Sequence, residues 1–62
     1  MTIGEKIRKL RGNIPGRVVA DKIGVSYSSY IKYERNERNP SDDVKKKLAK
    51  LFGVSVESIF FK

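Results

Sequence analysis

Hydrophobic residues recur at intervals of three and four along the chain, in short blocks separated by glycine, proline, serine and asparagine. This spacing places the apolar side chains of each block on one face of an α-helix. It predicts five helices with these apolar stripes: Ile3, Ile7 and Leu10; Val19, Ala20 and Ile23; Tyr30 and Tyr33; Val44, Leu48, Leu51 and Phe52; and Val56, Ile59, Phe60 and Phe61. The pattern therefore predicts an all-α fold.

Residues that favour helix ends flank these stripes. Thr2 and Glu5 have the spacing of a capping box, in which each residue binds the other's backbone amide. Further expected N-caps are Ser26, Ser41 and Ser55, and Pro15 suits the first turn of the second helix. The expected stops are Gly24, Asn36 and Gly53, which tolerate a left-handed backbone. We predict that the third helix spans about residues 26–35.

The length and the composition limit the possible functions. Sixty-two residues are enough for one domain, which we assign to 1–62. The sequence contains no cysteine and no histidine, so disulfides and thiolate or imidazole metal sites are excluded. The commonest catalytic nucleophiles and general bases are absent as well. We expect no enzymatic activity, no metal and no cofactor.

The charge balance indicates a polyanionic partner. The chain has fourteen lysines and arginines and seven acidic residues, which gives a net charge of +7 and a pI near 10.0. Such an excess on a small body attracts nucleic acid, an anionic membrane surface or an acidic protein. No apolar run approaches the roughly 18–20 residues of a membrane span, and no signal-peptide pattern is present. We therefore expect a cytoplasmic protein without a membrane partner.

The segment from about residue 15 to residue 35 has the pattern of a helix-turn-helix. Two predicted helices are separated by the short stretch 23–26, where Gly24 permits a tight turn. Apolar residues on both sides of the glycine hold the two helices against each other at a steep angle. In DNA-binding proteins this geometry lets the second helix of the pair enter the major groove.

The third helix divides into two faces when its residues are placed about 100° apart. Tyr30 and Tyr33 fall on a core-facing side, with their hydroxyls expected at the edge of the core. The opposite arc carries Tyr27, Ser28, Ile31, Lys32 and Arg35. Lysine donates to guanine, serine donates or accepts, and isoleucine packs on a thymine methyl. The arc alone is compatible with a base-reading surface and with incidental surface packing.

At this point the chain resembles the Cro and phage-repressor (Xre-type) helix-turn-helix family. The resemblance covers nearly the whole chain and rests on the stretches 3–11, 19–26, 33–41 and 48–60 in this order. It implies a compact five-helix bundle of the lambda-repressor-like type. It also implies a sequence-specific regulator of transcription, expected to be a repressor, that reads double-stranded DNA with its third helix. The expected target is a pseudo-palindromic operator, and no small-molecule ligand is expected.

The resemblance also assigns roles to individual residues. The family's base-contacting positions fall on Tyr27, Ser28 and Lys32, with Ile31 beside them. Its phosphate-contacting positions fall on Arg35, Asn36 and Arg38, and Arg17 lies near the backbone amides that would bind a further phosphate. Arg11 and Glu34 would form a structural ion pair.

This sequence departs from the family where the second helix begins. The family usually has serine or threonine there, followed by a glutamine that braces the recognition helix and binds a phosphate. This chain has Pro15 and Gly16 instead. The contact is therefore either missing or replaced by backbone amides and Arg17.

Three features leave alternatives open. The lysines Lys45, Lys46, Lys47 and Lys50 are interpreted as a solvated helix face rather than a DNA contact. The apolar chain end offers Val56 and Phe61 for a weak homodimer, against the alternative of a monomer. The same fold also serves protein-interaction modules, such as antitoxins or coactivators, and this is the alternative to a DNA-binding regulator.

Overall fold

The computed structural model describes residues 2–60. Within that range the chain forms five α-helices and no strand: α1 (Ile3–Arg11), α2 (Gly16–Ile23), α3 (Tyr27–Glu34), α4 (Asp42–Phe52) and α5 (Val56–Phe60). The predicted all-α, five-helix fold is confirmed. None of the described helices combines the length and the apolar character needed to cross a membrane.

Side-chain hydroxyls begin most of these helices. Thr2 and Glu5 form both hydrogen bonds of the capping box. Ser26 accepts from the amide of Ser29, and Ser41 caps α4 in the same way. Pro15 differs from the prediction, because it precedes α2 as its N-cap residue instead of lying in the first turn.

A left-handed residue follows α3 and closes it. Asn36 has φ 61°, and its amide donates to the carbonyl of Tyr33 while the amide of Glu37 donates to that of Lys32. This pair of bonds is a Schellman motif, which satisfies carbonyls that the end of a helix leaves free. Ser26 and Arg35 are the flanking caps, so α3 is one residue shorter at each end than predicted.

The core lies where α3 packs between α1 and α2, and α4 and α5 close it from the other side. Its buried hydrophobic residues are Ile7, Val19, Ala20, Ile23, Tyr30, Tyr33, Val44, Leu48, Ala49 and Ile59. Tyr30 is fully buried, and it is the largest of the side chains that solvent does not reach. Both core-facing tyrosines of α3 are therefore where the sequence predicts them.

A buried carboxylate lies at the end of α3. Glu34 is only 6% exposed, and its Oε2 accepts a hydrogen bond from the Tyr30 hydroxyl. Arg11 binds both carboxylate oxygens, with Nε 2.7 Å from Oε2 and Nη2 3.3 Å from Oε1. The prediction that the Tyr30 hydroxyl reaches the edge of the core is wrong, because that hydroxyl is buried against Glu34. Arg11 and Glu34 are thus brought together as a bidentate ion pair.

The backbones of α1 and α3 approach each other closely at Gly4. A Cβ at residue 4 would lie 2.9 Å from the carbonyl oxygen of Tyr33, and closer still to the carbonyl of Glu34. Both obstacles are backbone atoms, so neither can rotate away. A glycine inside an apolar helical stripe is the sequence signal for such an approach.

We expect Gly4→Ala to destabilise the domain by roughly 3 kcal/mol, because the added methyl forces α1 away from α3. Thermal and urea denaturation followed by circular dichroism measure this. Lys9→Ala, on an exposed position of the same helix, is the control and should change stability by less than about 0.5 kcal/mol. Equal stabilities for the two variants would contradict the close packing.

Burial raises the pKa of Tyr30 above its usual value of 10.0, and the hydrogen bond and negative charge of Glu34 raise it further. Above about pH 10 the unfolded chain therefore loses a proton that the folded chain keeps. We expect the stability advantage of the wild type over Tyr30→Phe to shrink by up to ~1.4 kcal/mol per pH unit there. Urea denaturation between about pH 8 and pH 11 tests this, and a constant difference would contradict it.

Candidate nucleic-acid interface

A tight turn projects α3 from α2. Gly24 is left-handed, with φ 75°, and the amide of Val25 donates to the carbonyl of Ala20 over 3.0 Å. Val25 then packs half-buried against the core, and Ser26 starts α3. Because the inner side of α3 is held by its buried residues, its other side faces outwards.

Three of the four predicted base-contacting residues lie on this outer side. Tyr27, Ser28 and Lys32 are exposed, and Tyr27 shows 40% of its surface to solvent. Ile31 differs, because it is half-buried and packs against the core. The prediction of an outward-facing Ile31 is therefore only partly right. Its accessible part borders the exposed arc, and its contact with a base stays a prediction.

The ring of Tyr27 lies close to two residues of α2. The Cζ atom of Arg17 lies over the ring, 4.6 Å from its centroid, which is within the range of a cation–π interaction. The ring also approaches Gly16, where a Cβ would be 3.1 Å from Cε1 of Tyr27. The departure from the family pattern at residue 16 therefore creates the space that Tyr27 uses.

Serine hydroxyls organise the first turn of α3. The Oγ atom of Ser26 lies 3.3 Å from that of Ser28 and donates to that of Ser29 over 3.0 Å. Nη1 of Arg38 reaches the Ser29 hydroxyl at 3.5 Å, a long and weak hydrogen bond. The loop after α3 thus folds back, so that Arg38 lies beside the start of the same helix.

Asn36 has an internal role that the sequence analysis missed. Its Oδ1 accepts from the amide of Gly4 at 3.0 Å, and its Nδ2 donates to Oγ1 of Thr2 at 3.1 Å. The side chain therefore links the end of α3 to the start of α1. One amide hydrogen remains for a phosphate, so the predicted contact with DNA stays a prediction. A partner 32 residues away in the sequence gives no local signal.

Positive charge on this surface is not neutralised. Within residues 2–60, no ion pair forms between a carboxylate and any of the exposed cations Arg17, Lys32, Arg35 and Arg38. The one carboxylate of α3 is that of Glu34, which is buried and bound to Arg11. The surface around the outer side of α3 therefore attracts anions.

The remaining predicted residues lie elsewhere. Lys45 is half-buried, 3.9 Å from Asp42 and over the ring of Phe60, whereas Lys46, Lys47 and Lys50 are exposed on α4. Val56, a predicted dimer contact, is half-buried and packs against the core of its own chain. Its partner in that prediction, Phe61, lies outside the described residues. The dimer contact stays a prediction.

The fold and this cationic outer surface define a helix-turn-helix DNA-binding domain. The helix-turn-helix family model matches residues 5–59, and the chain belongs to this family of DNA-binding transcription regulators. The chain is 40% identical over 48 residues to an uncharacterised helix-turn-helix transcriptional regulator of Methanocaldococcus jannaschii. That alignment covers 77% of this chain and 73% of the archaeal protein.

Two solved structures with a similar fold are of the P22 c2 repressor. The P22 c2 repressor in complex with a synthetic operator has a TM-score of 0.92 and 26% identity. That match covers 97% of this chain and 94% of the repressor chain. The solution structure of the P22 c2 DNA-binding domain has a TM-score of 0.89 and 26% identity, and covers 95% and 80% of the two chains.

We expect Asn36→Gly to lower stability by about 1 kcal/mol even though glycine suits the left-handed backbone. The loss comes from the two hydrogen bonds of the side chain, and the amide of Gly4 should exchange its hydrogen faster. Asn13→Gly makes the same chemical change in an exposed turn and should be within about 0.5 kcal/mol of the wild type. An Asn36→Gly protein as stable as the wild type would show that these bonds contribute no more than glycine gains in the left-handed conformation.

Proposed function

We propose that this helix-turn-helix regulator is a sequence-specific repressor that inserts α3 into the major groove of an operator. The observation that carries the proposal is the outer side of α3, where Tyr27, Ser28 and Lys32 are exposed together among cations that form no ion pair within residues 2–60. We propose that these three residues contact base edges and that Ile31 contributes its accessible part.

The three exposed residues have complementary chemistry. The Lys32 ammonium is suited to guanine N7 and O6. The Ser28 hydroxyl donates or accepts, and its contact with Ser26 restrains its direction. Tyr27 offers a hydroxyl together with an apolar ring that can pack on a thymine methyl. Such a mixed surface supports discrimination between base pairs, which phosphate contacts alone do not provide.

Phosphate contacts would fix the domain on the duplex. Arg35 and Arg38 follow α3, and Arg17 lies in the first turn of α2. Pro15 makes no side-chain capping bond to α2, in contrast to the serine or threonine caps of α1, α3 and α4. The first amides of α2 therefore remain available to a phosphate oxygen, which the helix dipole also favours. This supports the family's phosphate site at a position that lacks the family's glutamine.

Two copies on one operator would supply the affinity that a small domain lacks. A single helix-turn-helix module buries little surface on DNA, and dimers of such modules bind half-sites about 34–36 Å apart. We propose a weak homodimer on a pseudo-palindromic site, with Val56 and Phe61 as candidates for the contact. We also propose that the protein acts in the cytoplasm by binding alone, without catalysis, and represses by occupying its operator.

Selection from a random pool of duplexes, at a stated salt concentration, tests the proposal. We expect enrichment of a short motif, repeated with inverted symmetry about one helical turn apart. If no motif is enriched and binding is equally weak to all duplexes, the proposal fails. That outcome would favour the protein-interaction alternative.

Lys32→Ala and Arg38→Ala should then affect binding in different ways. We expect Lys32→Ala to lose ~1–3 kcal/mol of discrimination at one base pair. Arg38→Ala should weaken binding to every sequence and reduce the slope of log K against log salt by about 0.9. Lys46→Ala, on the exposed face of α4, is the control and should change base preference at no position. Unchanged preference in Lys32→Ala would contradict the assigned base contact.

A further inference from the structure

The first residue of α3 carries an aromatic ring that is held by α2. Tyr27 is 40% exposed, and a tyrosine this exposed at the start of a helix can adopt more than one rotamer. Here the Arg17 guanidinium lies over its ring at 4.6 Å. The ring also lies against the backbone of Gly16, where a Cβ would approach Cε1 to 3.1 Å. The Arg17 contact and the limited space beside Gly16 therefore both restrain the ring.

The same contacts restrain Arg17. Its guanidinium forms no ion pair with a carboxylate of the described residues, so the Tyr27 ring is the partner that holds it near α3. A guanidinium that lies over an aromatic ring keeps its N–H donors free to bind an anion. Arg17 can therefore contact a phosphate and hold Tyr27 simultaneously.

A restrained side chain discriminates between bases better than a mobile one. A mobile phenol can adjust to several base edges, whereas a fixed hydroxyl and ring fit fewer of them, and binding costs less conformational entropy. The direction of the Tyr27 ring is therefore a determinant of specificity.

We infer that Arg17 is a positioning residue for base recognition: its stack on Tyr27, in the space left by Gly16, sets the preference at the base pair that Tyr27 contacts. This inference rests on the proposed function. It differs from a simple phosphate contact, which would change affinity for all sequences alike and leave base preference intact.

Arg17→Lys separates these two roles. Lysine keeps the positive charge for a phosphate but lacks the planar guanidinium that lies over the ring. The base pair that Tyr27 contacts is identified first, as the position at which Tyr27→Ala loses its preference. At that base pair we expect Arg17→Lys to reduce discrimination by about twofold, and by up to about fivefold if the ammonium makes no contact with the ring, which is the range of an exposed cation–π contact. The salt dependence of binding should remain close to that of the wild type.

Two further variants serve as matched controls. Arg35→Lys changes a predicted phosphate contact that has no aromatic partner among residues 2–60, and should leave preference unchanged at every position. In the Tyr27→Ala background, Arg17→Lys should have no further effect on preference. Gly16→Ala should weaken the preference at the same base pair, because a Cβ 3.1 Å from Cε1 of Tyr27 and 3.3 Å from the buried Tyr30 ring displaces the Tyr27 ring slightly. Circular dichroism verifies that each variant is folded.

Nuclear magnetic resonance provides a test without DNA. Three-bond couplings across Cα–Cβ of Tyr27 should indicate one dominant rotamer in the wild type and averaging in Arg17→Lys. Averaged couplings in the wild type would overturn the inference. The inference would also be overturned if the wild type selects a motif and Arg17→Lys keeps full preference at the base pair that Tyr27 contacts. In that case the proposed function would still stand. A wild type without any preferred motif overturns both.

Discussion

The buried carboxylate of Glu34 determines how the recognition helix is held. Removing a charge from water costs several kcal/mol unless partners compensate for it. Here Arg11 and the Tyr30 hydroxyl provide those partners. The backbone carbonyl of the same glutamate abuts Gly4, so one residue of α3 contacts α1 near both of its ends. The start of α1 also meets the end of α3, an arrangement in which the two helix dipoles attract each other. Together these contacts restrain the placement of α3 against α1.

This arrangement also separates the charges of the domain. The one carboxylate of α3, that of Glu34, is directed inwards. Arg11 compensates its negative charge, and Nε of Arg8 lies 3.8 Å from its Oε1. The outer side of α3 is left with Lys32 and the arginines that follow the helix. Stability and electrostatic attraction thus depend on different faces of the same helix, and a change of surface charge can alter DNA affinity without disturbing the core.

Local signals in the sequence were sufficient for the helices. The N-caps Thr2, Ser26 and Ser41 and the left-handed Asn36 act within a few residues of their own position, so their roles can be read from spacing. The inward side of α3 followed from the same periodicity.

Contacts between distant parts of the chain could not be read in this way. Helical periodicity gives the direction of Ile31 but not how far the neighbouring core extends around α3, and the residue is half-buried. The hydrogen bond between Asn36 and Gly4 joins residues 32 positions apart. The Tyr30 hydroxyl is buried because it donates to Glu34, and the sequence does not show that Glu34 is itself buried. Each of these features is set by tertiary packing, which a single sequence does not encode locally.

Because of the space at Gly16, the outer residues of α3 depend on α2 and cannot be exchanged on their own. Residue 16 lacks a side chain where Tyr27 needs room, and Arg17 lies where the ring can hold it. A graft that exchanged the outer residues of α3 alone would leave a gap beside α2 or a clash with it. Residues 16, 17 and 27 therefore form one structural unit, and redesign of this surface has to exchange all three together.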